Sequence, residues 1–451
     1  MTVLLWALAP VTAFAVGIAA WPSAITPNIG IDTGTVAGFA GQEWWAVGDG
    51  TSGIYTAAPA NSLTLLHKSA GNPYGPIEYR TDWHYLSLPP NIGDIAIHYP
   101  GDGYWYIKNP NGAQWVMPNE YRGSTLQLKM EETAADINSA SPKEYALIHA
   151  RTLQAGDDIN YPITGGDVTG QKLWPLSYDE CVTIGNTAVR LYGADWWLRS
   201  PIGTAMQPFA VLIHYAPGPT FAVETLGSAG FGGYVTVSVR PAFNLDLSKV
   251  LFTSAAAGGK AVTPGDLEAA AAPASTIKFT MQDTGVAPGF KASYGGISGS
   301  TATIKYSGAA AGANKAVSAV VVSGGALGSG GVVEYYGQLV TGASIGGAGS
   351  VTLTLPYPLA DFENDTYKLY AFEEEIHNDN FTDFATPPIL LSFTNSGGGN
   401  NGGGGGDWTD PIVPLPIQPP KTGDGAGAAW LLVLGGLALA FAFHKKRQGA
   451  K

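Results

Sequence analysis

Apolar and polar residues alternate most clearly between 276 and 394. Thr276 to Met281, Ala302 to Tyr306 and Ser350 to Leu355 change character at every step, and Tyr367 to Phe372 is read as a strand with them. Successive side chains of a strand face opposite ways, so each run predicts a half-buried strand. Ala316 to Val322 and Val333 to Gly337 are rich in β-branched and aromatic residues but alternate less cleanly. Gly-rich turns separate these runs, and six or seven short strands predict a small β-sandwich. The earlier stretch, 38–254, mixes periods. Phe209 to Tyr215, Thr220 to Thr225 and Tyr234 to Arg240 read as strands, with a turn at Pro217-Gly218-Pro219 between the first two. Ser124 to Ile137 reads as a helix: Ser124 can cap it, and Leu126, Met130, Ala134 and Ile137 form an apolar stripe. A second short helix is expected over Tyr178 to Ile184.

Between these stretches, near Ala255 to Ser275, Ala and Gly dominate and aromatics vanish, which marks a boundary. After 394 the pattern stops. Asn395 to Gly406 is nearly all Gly and Asn, and Asp410 to Pro420 alternates Pro with apolar residues. A flexible coil followed by an extended polyproline segment is expected, a disordered stalk over 395–418.

Composition narrows the class. The 451 residues carry 23 Lys and Arg against 35 Asp and Glu, a formal charge of −12, and only 13% are charged. Basic side chains cluster only at the extreme C-terminus, which argues against nucleic acid as a partner. With 45% hydrophobic residues and 12 Trp, wholesale disorder is also excluded. The single cysteine, Cys181, rules out an intrachain disulfide framework and a Cys-rich metal site. Low charge with abundant Gly and aromatics suits a β-rich extracellular protein.

The ends supply an address. Val3 to Ala20 is almost wholly apolar and closes in small residues, the pattern of a secretory signal over 1–26, although no Lys or Arg precedes it. An uncleaved helix or a buried strand is the alternative. Gly425 to Phe443 is uncharged and long enough, as one helix, to cross a bilayer, and His444-Lys445-Lys446-Arg447 follows at once. Pro419-Pro420-Lys421-Thr422-Gly423-Asp424 stands just before this span. The arrangement over 419–451 resembles the sortase sorting signal of Gram-positive cell-wall proteins, an L-P-x-T-G motif, an apolar span and a basic tail. Pro420, Lys421, Thr422 and Gly423 match, and Pro419 replaces the usual Leu. The resemblance implies sortase and peptidoglycan as partners, with Thr422 joined to the wall after a membrane-anchored stage.

The residues 38–254 carry a second resemblance. Trp196-Trp197-Leu198-Arg199-Ser200-Pro201 is followed some way on by Val239-Arg240-Pro241-Ala242-Phe243, with Leu173-Trp174-Pro175-Leu176-Ser177 upstream. This set resembles an uncharacterised domain family in surface proteins of Gram-positive gut bacteria. Its layout is similar to the C-type-lectin fold of formylglycine-generating-enzyme-like domains, which implies an α+β head. A lone Cys181 lacks the thiol pair of the oxidase, so that activity is not implied. Over 276–394 the resemblance is to immunoglobulin-like modules of bacterial surfaces, an all-β sandwich.

Candidate chemistry is sparse. The seven His form no H-E-x-x-H motif, and no G-x-S-x-G motif sits in a strand–turn–helix setting. Asp179 and Glu180 are a possible acid pair for glycoside hydrolysis, but neighbours on a helix diverge by ~100° and are poorly placed to flank one bond. Glu373, Glu374, Glu375, Asp379 and Asp383 fit no calcium loop and read as a solvated acidic loop. Trp196, Trp197, Arg199, Pro201, Arg240 and Pro241 are expected to be structural: one Trp enters the core, its neighbour faces a second layer, and the arginines pair with carboxylates such as Asp195 or Asp246. Loops between the two motifs are the place for recognition, so Gln207, His214, Tyr215, Phe231 and Tyr234 are candidates to border a ligand face. Trp44-Trp45 and Tyr104-Trp105-Tyr106 are read as packing residues, with sugar stacking as the alternative. The expectation is a wall-anchored, non-enzymatic adhesion or binding protein for an extracellular glycan or protein, without cofactor or metal. A secreted wall- or glycan-modifying hydrolase is the alternative.

Overall fold

The structure is a computed structural model. It describes 34–50, 53–55, 57–69, 121–154, 167–184, 188–190, 195–200, 238–260, 262–377 and 379–393 in full, and the backbone of several short pieces between them. Strands dominate and helices are few. In chain order the principal elements are β1 (Val36–Phe39), β2 (Gln42–Gly48), β3 (Ser62–His67), α1 (Thr125–Ala140), α2 (Pro142–Ala146), β4 (Trp174–Pro175), α3 (Tyr178–Thr183) and β5 (Trp196–Ile202). Then come β6 (Pro241–Asp246), β7 (Val250–Ala255), β8 (Glu268–Ala269), β9 (Ile277–Gln282), β10 (Lys291–Ser298), β11 (Thr301–Ser307) and β12 (Lys315–Ser323). The last are β13 (Val332–Thr341), β14 (Ala348–Thr354), β15 (Tyr367–Glu375) and β16 (Asp383–Ala385).

Helix α1 forms where the apolar stripe places it. Ser124 Oγ accepts from Gln127 N–H as its N-cap, and Leu126, Met130, Ala134 and Ile137 are all buried. Strands β1 and β2 make a hairpin whose two turn residues, Ala40 and Gly41, have φ of 51° and 74°. Such a turn matches the twist of the strands but strains a residue with a Cβ. Ala40 is held there because its N–H donates to the buried carboxylate of Glu144 at 2.9 Å, while Gly41 N–H donates to Asn380 O at 3.2 Å.

One large sheet runs through both stretches of the chain, in the order β4-β6-β3-β2-β1-β9-β16-β15-β12-β13-β8. Neighbours are antiparallel except at β9, which runs parallel to β1 and to β16, with Ile277 opposite Ala37 and Thr280 opposite Asp383. Strand β7 lies along β9, with Thr253 opposite Phe279. The boundary expected over 255–275 therefore leaves no break in the sheet. Ala256 and Lys260 are buried, Glu268 pairs with Tyr336, and residues 1–394 form one compact unit. Residues 395–451, with the expected stalk, sorting signal and span, lie outside the described residues. No helix among the described residues is long and apolar enough to cross a membrane. Within the segment read as a signal, Ile18–Ala19 is a short strand opposite Thr253 and Ser254.

The first stretch folds around Phe39, Trp44, Trp174, Trp196, Trp197 and Phe243, with α1 packed on the same core. In the second, β10, β11 and β14 form a separate antiparallel sheet. It shares with β12 and β15 a core of Ile304, Val321, Leu353 and Leu369. The opposite face of β12 and β15 is not solvated. Val320, Val322 and Phe372 pack there on Phe252 and Tyr336. Both faces of β12 are thus covered, and a strand buried on both sides has no reason to alternate.

Candidate functional site

The motif residues of the first stretch come together as a buried scaffold. Trp196 and Trp197 are 0% and 1% exposed, so both are core residues; neither opens onto a solvent-facing layer. Each indole N–H finds a carbonyl at 2.9 Å, that of Arg190 for Trp196 and that of Ile77 for Trp197. Arg199 pairs with Glu180, at 2.5 Å from Nη1 to Oε2, and Arg151 takes the other carboxylate oxygen at 2.7 Å. The Arg151 guanidinium also lies 3.7 Å from the centroid of the Tyr55 ring. Burial raises the Glu180 pKa, but the two guanidiniums and the backbone N–H of Ser177 outweigh it and hold the carboxyl far below its usual range. Glu180 is thus a fixed anion and cannot serve as the proton donor a glycosidase needs. Arg240 turns its fork toward backbone oxygens: Nε donates to His67 O at 2.6 Å, Nη1 to Val189 O, and Nη2 to Lys68 O at 3.3 Å. Asp246, a partner expected for these arginines, accepts instead from Ser248 N–H at 2.8 Å. Pro201 lies in β5, and Pro241 opens β6 opposite Pro175. Cys181 is buried beside them, and its thiol is pushed up to about 12 by burial, which leaves it unreactive.

Gln207, His214, Tyr215, Phe231 and Tyr234 lie outside the described residues, as do Pro420, Lys421, Thr422 and Gly423.

The second stretch holds a group that the sequence reading misassigned. The acidic run is a solvated loop only in part: Asp379 is exposed in a turn and Glu375 is half-buried, but Glu373, Glu374 and Asp383 are each 0% exposed. Glu373 and Glu374 continue β15, and Asp383 opens β16. Opposite them stands Lys260, 6% exposed, from the Ala/Gly-rich segment after β7. Its Nζ lies 2.5 Å from Glu374 Oε2, 2.9 Å from Asp383 Oδ2 and 2.8 Å from Thr280 Oγ1. Lys278 of β9 reaches Asp383 Oδ1 at 3.0 Å, and the same oxygen accepts from His377 N–H at 2.8 Å. Glu374 Oε1 accepts from Ser318 Oγ at 2.5 Å and from the Tyr336 hydroxyl. Two aromatic rings close the site, with Lys260 Nζ 4.9 Å from the Phe252 centroid and 5.7 Å from that of Tyr336.

Two cations thus face two anions in a buried, aromatic-walled space. Burial disfavours the Lys260 ammonium, but Asp383 and Glu374 outweigh it and raise its pKa. Lys278 shifts the other way, lowered by burial and by the charge of Lys260 despite the pull of Asp383. Tyr336 is held protonated, by burial first and the Glu374 charge next, so it remains a donor. Two signals in the sequence point here. Ser318 interrupts an otherwise apolar strand, and the carboxylates of 373–374 extend a strand already legible from Tyr367.

No family model, no curated protein and no solved structure matches the chain.

Proposed function

We propose that the chain is a surface protein of a Gram-positive bacterium, joined to the wall by sortase and presenting its fold as an adhesion or ligand-binding module. The observation that carries this reading is the order of three parts at the C-terminus: Pro420-Lys421-Thr422-Gly423, the uncharged run to Phe443, and the basic cluster after it. The strand-rich fold is compatible with a C-type-lectin-like head over 38–254 and an immunoglobulin-like sandwich over 276–394, the two architectures proposed for it. The buried state of Trp196, Trp197 and Arg199 favours a scaffold over a reaction centre, and the arginine-locked Glu180 weighs against the hydrolase reading. Ligand contact is assigned to the loops carrying Gln207, His214, Tyr215, Phe231 and Tyr234, where aromatics would stack on a glycan or protein surface and polar groups would orient it.

The test is anchoring. In sortase transfer an acyl-enzyme forms at the Thr422 carbonyl, so Thr422→Ala is expected to move the protein from the muramidase-released wall fraction to the membrane fraction. Equal release of wild type and variant would end this reading. N-terminal sequencing of the wall-bound form checks the signal, with a start near residue 27 expected. Screening the wall-bound protein against host glycans, mucins and peptidoglycan fragments then addresses the ligand.

A further inference from the structure

We infer that Lys260 and Asp383 condense spontaneously into an intramolecular amide, with Glu374 moving the protons and Lys278 and the His377 N–H steadying the oxygen that gains charge. The inference stands on the arrangement of these groups and is independent of the anchoring proposal.

The two oxygens of Asp383 have different surroundings. Oδ1 is fixed by the Lys278 ammonium at 3.0 Å and the His377 N–H at 2.8 Å. That is a preformed cradle for negative charge. Oδ2 is instead the oxygen that faces Lys260, ion-paired to its Nζ at 2.9 Å. Nor are the two oxygens of Glu374 alike. Oε1 is occupied by the hydroxyls of Ser318 and Tyr336, while Oε2 takes a proton of Lys260 at 2.5 Å. A nucleophile, an electrophile with one stabilised oxygen, and a proton carrier are therefore in contact with one another.

Burial supplies the driving force. Holding an ammonium and a carboxylate away from water costs several kcal/mol per ion, and that cost disappears if both become one neutral amide. Water, which would favour the separated ions and hydrolysis, is kept out by Phe252, Tyr336 and the sheet itself. Proximity removes the entropic part of the barrier, because the fold has already placed the two groups.

The step balances without any co-reactant. Glu374 Oε2 accepts one proton from the Lys260 ammonium and frees the lone pair on Nζ. That pair attacks Asp383 Cγ, and the π electrons pass to Oδ1 under Lys278 and the His377 N–H. Glu374 returns its proton to Oδ2, and a second proton from the attacking nitrogen follows by the same route. Oδ1 re-forms its double bond, the Cγ–Oδ2 bond breaks, and Oδ2 leaves as water. Ammonium and carboxylate become one amide plus one water, Glu374 ends as it began, and nothing is oxidised or reduced. The bond fastens the segment between the two stretches to the strand pair at the end of the fold.

The test is a peptide map of the purified full chain. Trypsin cuts after free Lys260 but not after an amidated one. The expected product is a branched peptide joining 250–278 to 369–421, lighter by one water than its two parts. Tandem mass spectrometry should place the branch at Lys260 and Asp383. Lys260→Arg and Asp383→Ala should each abolish it. Glu374→Gln, checked for folding by circular dichroism, should slow or stop it. Wild-type protein that is folded yet gives only separate, full-mass peptides after prolonged incubation overturns the inference. A branch at Lys278, or a folded Glu374→Gln chain that links as fast as wild type, overturns the assigned roles.

Discussion

Around Trp196 the buried cations are arginines; around Phe252 they are lysines. Arg151 and Arg199 share Glu180, and Arg240 donates to main-chain carbonyls. A guanidinium stays protonated across the physiological range, and its planar fork suits two oxygens at once, so these contacts tie strands to α3 and to the main chain. Lys260 and Lys278 meet Glu374 and Asp383 in an equally buried setting. A lysine ammonium, unlike a guanidinium, can hand its proton to a neighbouring carboxylate, and the proposed amide depends on that chemical difference. Which cation is buried decides what the burial means.

The largest effect expected on the arginine side comes from its aromatic floor. Trp196 is fully buried, with Arg240 5.1 Å from its ring. Trp196→Ala should cost ~3–5 kcal/mol, a large share of a typical domain's ~5–15. Urea unfolding of the full chain reads this, and an unchanged midpoint would remove Trp196 from the scaffold. Next is the anion the arginines share. Glu180→Ala leaves two buried guanidiniums facing each other and should cost about 3–5 kcal/mol. A loss below about 1 kcal/mol would mean that water reaches the cluster, since exposed pairs contribute no more than that, and the contrast with Lys260 would then fail.

How far these groups were legible in the sequence differs between the two stretches. Helix α1 was readable because its stripe and Ser124 cap are local features, and the alternating strands from Ile277, Thr301 and Tyr367 are local too. Strand β10 was missed because Gly295-Gly296 interrupts the alternation begun by Ala292 and Tyr294, and the register shifts there against β11 before Ile297 returns to the core. The arginine motif was readable as scaffold, but its partner was not. Arg199 meets Glu180 because β5 passes beside α3, which no spacing in the chain reveals. The lysine group was hidden for the same reason. Lys260 and Asp383 are far apart in the chain, and only the shared sheet brings the segment after β7 against β15 and β16. Charges at a strand end read as solvated unless one knows what covers the second face.

Titration sharpens the comparison at moderate size. His67, near the arginine group, is buried against Trp44 at 4.9 Å, with Nδ1 2.6 Å from Ser69 O. Burial chiefly, and the Arg240 charge, lower its pKa from 6.5 to about 4, while the Ser69 carbonyl works the other way. The folded state therefore keeps His67 neutral where the unfolded chain takes up a proton. Its stability contribution is complete above pH 6.5 and is lost as pH falls toward about 4. The loss should reach about 3 kcal/mol across that window. Glu180, whose native pKa is lowered, adds a further loss only below its unfolded value near 4.5. Thermal melts of wild type and His67→Phe at several pH values separate the two. The variant should lose the slope between pH 6.5 and 4.5 and keep the one below; an unchanged upper slope would move the titration to another group.

The smallest effect distinguishes charge pairing from helix capping within the same residue. Glu180 does two jobs: besides the arginines, its Oε2 accepts from Ser177 N–H at 2.9 Å, while its own N–H donates to Ser177 Oγ at 3.1 Å. This reciprocal pair caps α3. Ser177→Ala removes only the hydroxyl half, and the arginines still hold the carboxylate in reach of the remaining N–H. The cost should be about 1 kcal/mol, the usual worth of such a cap. Ser124→Ala on α1, where Ser124 Oγ accepts from Gln127 N–H at 3.0 Å with no buried charge behind it, should cost the same. Matching losses from the two serines in urea unfolding, both well short of the loss from Glu180→Ala, would place most of the Glu180 contribution in its arginine contacts. If Ser177→Ala costs as much as Glu180→Ala, the carboxylate acts through the helix end instead, and the arginines are held by their carbonyl and aromatic neighbours without it.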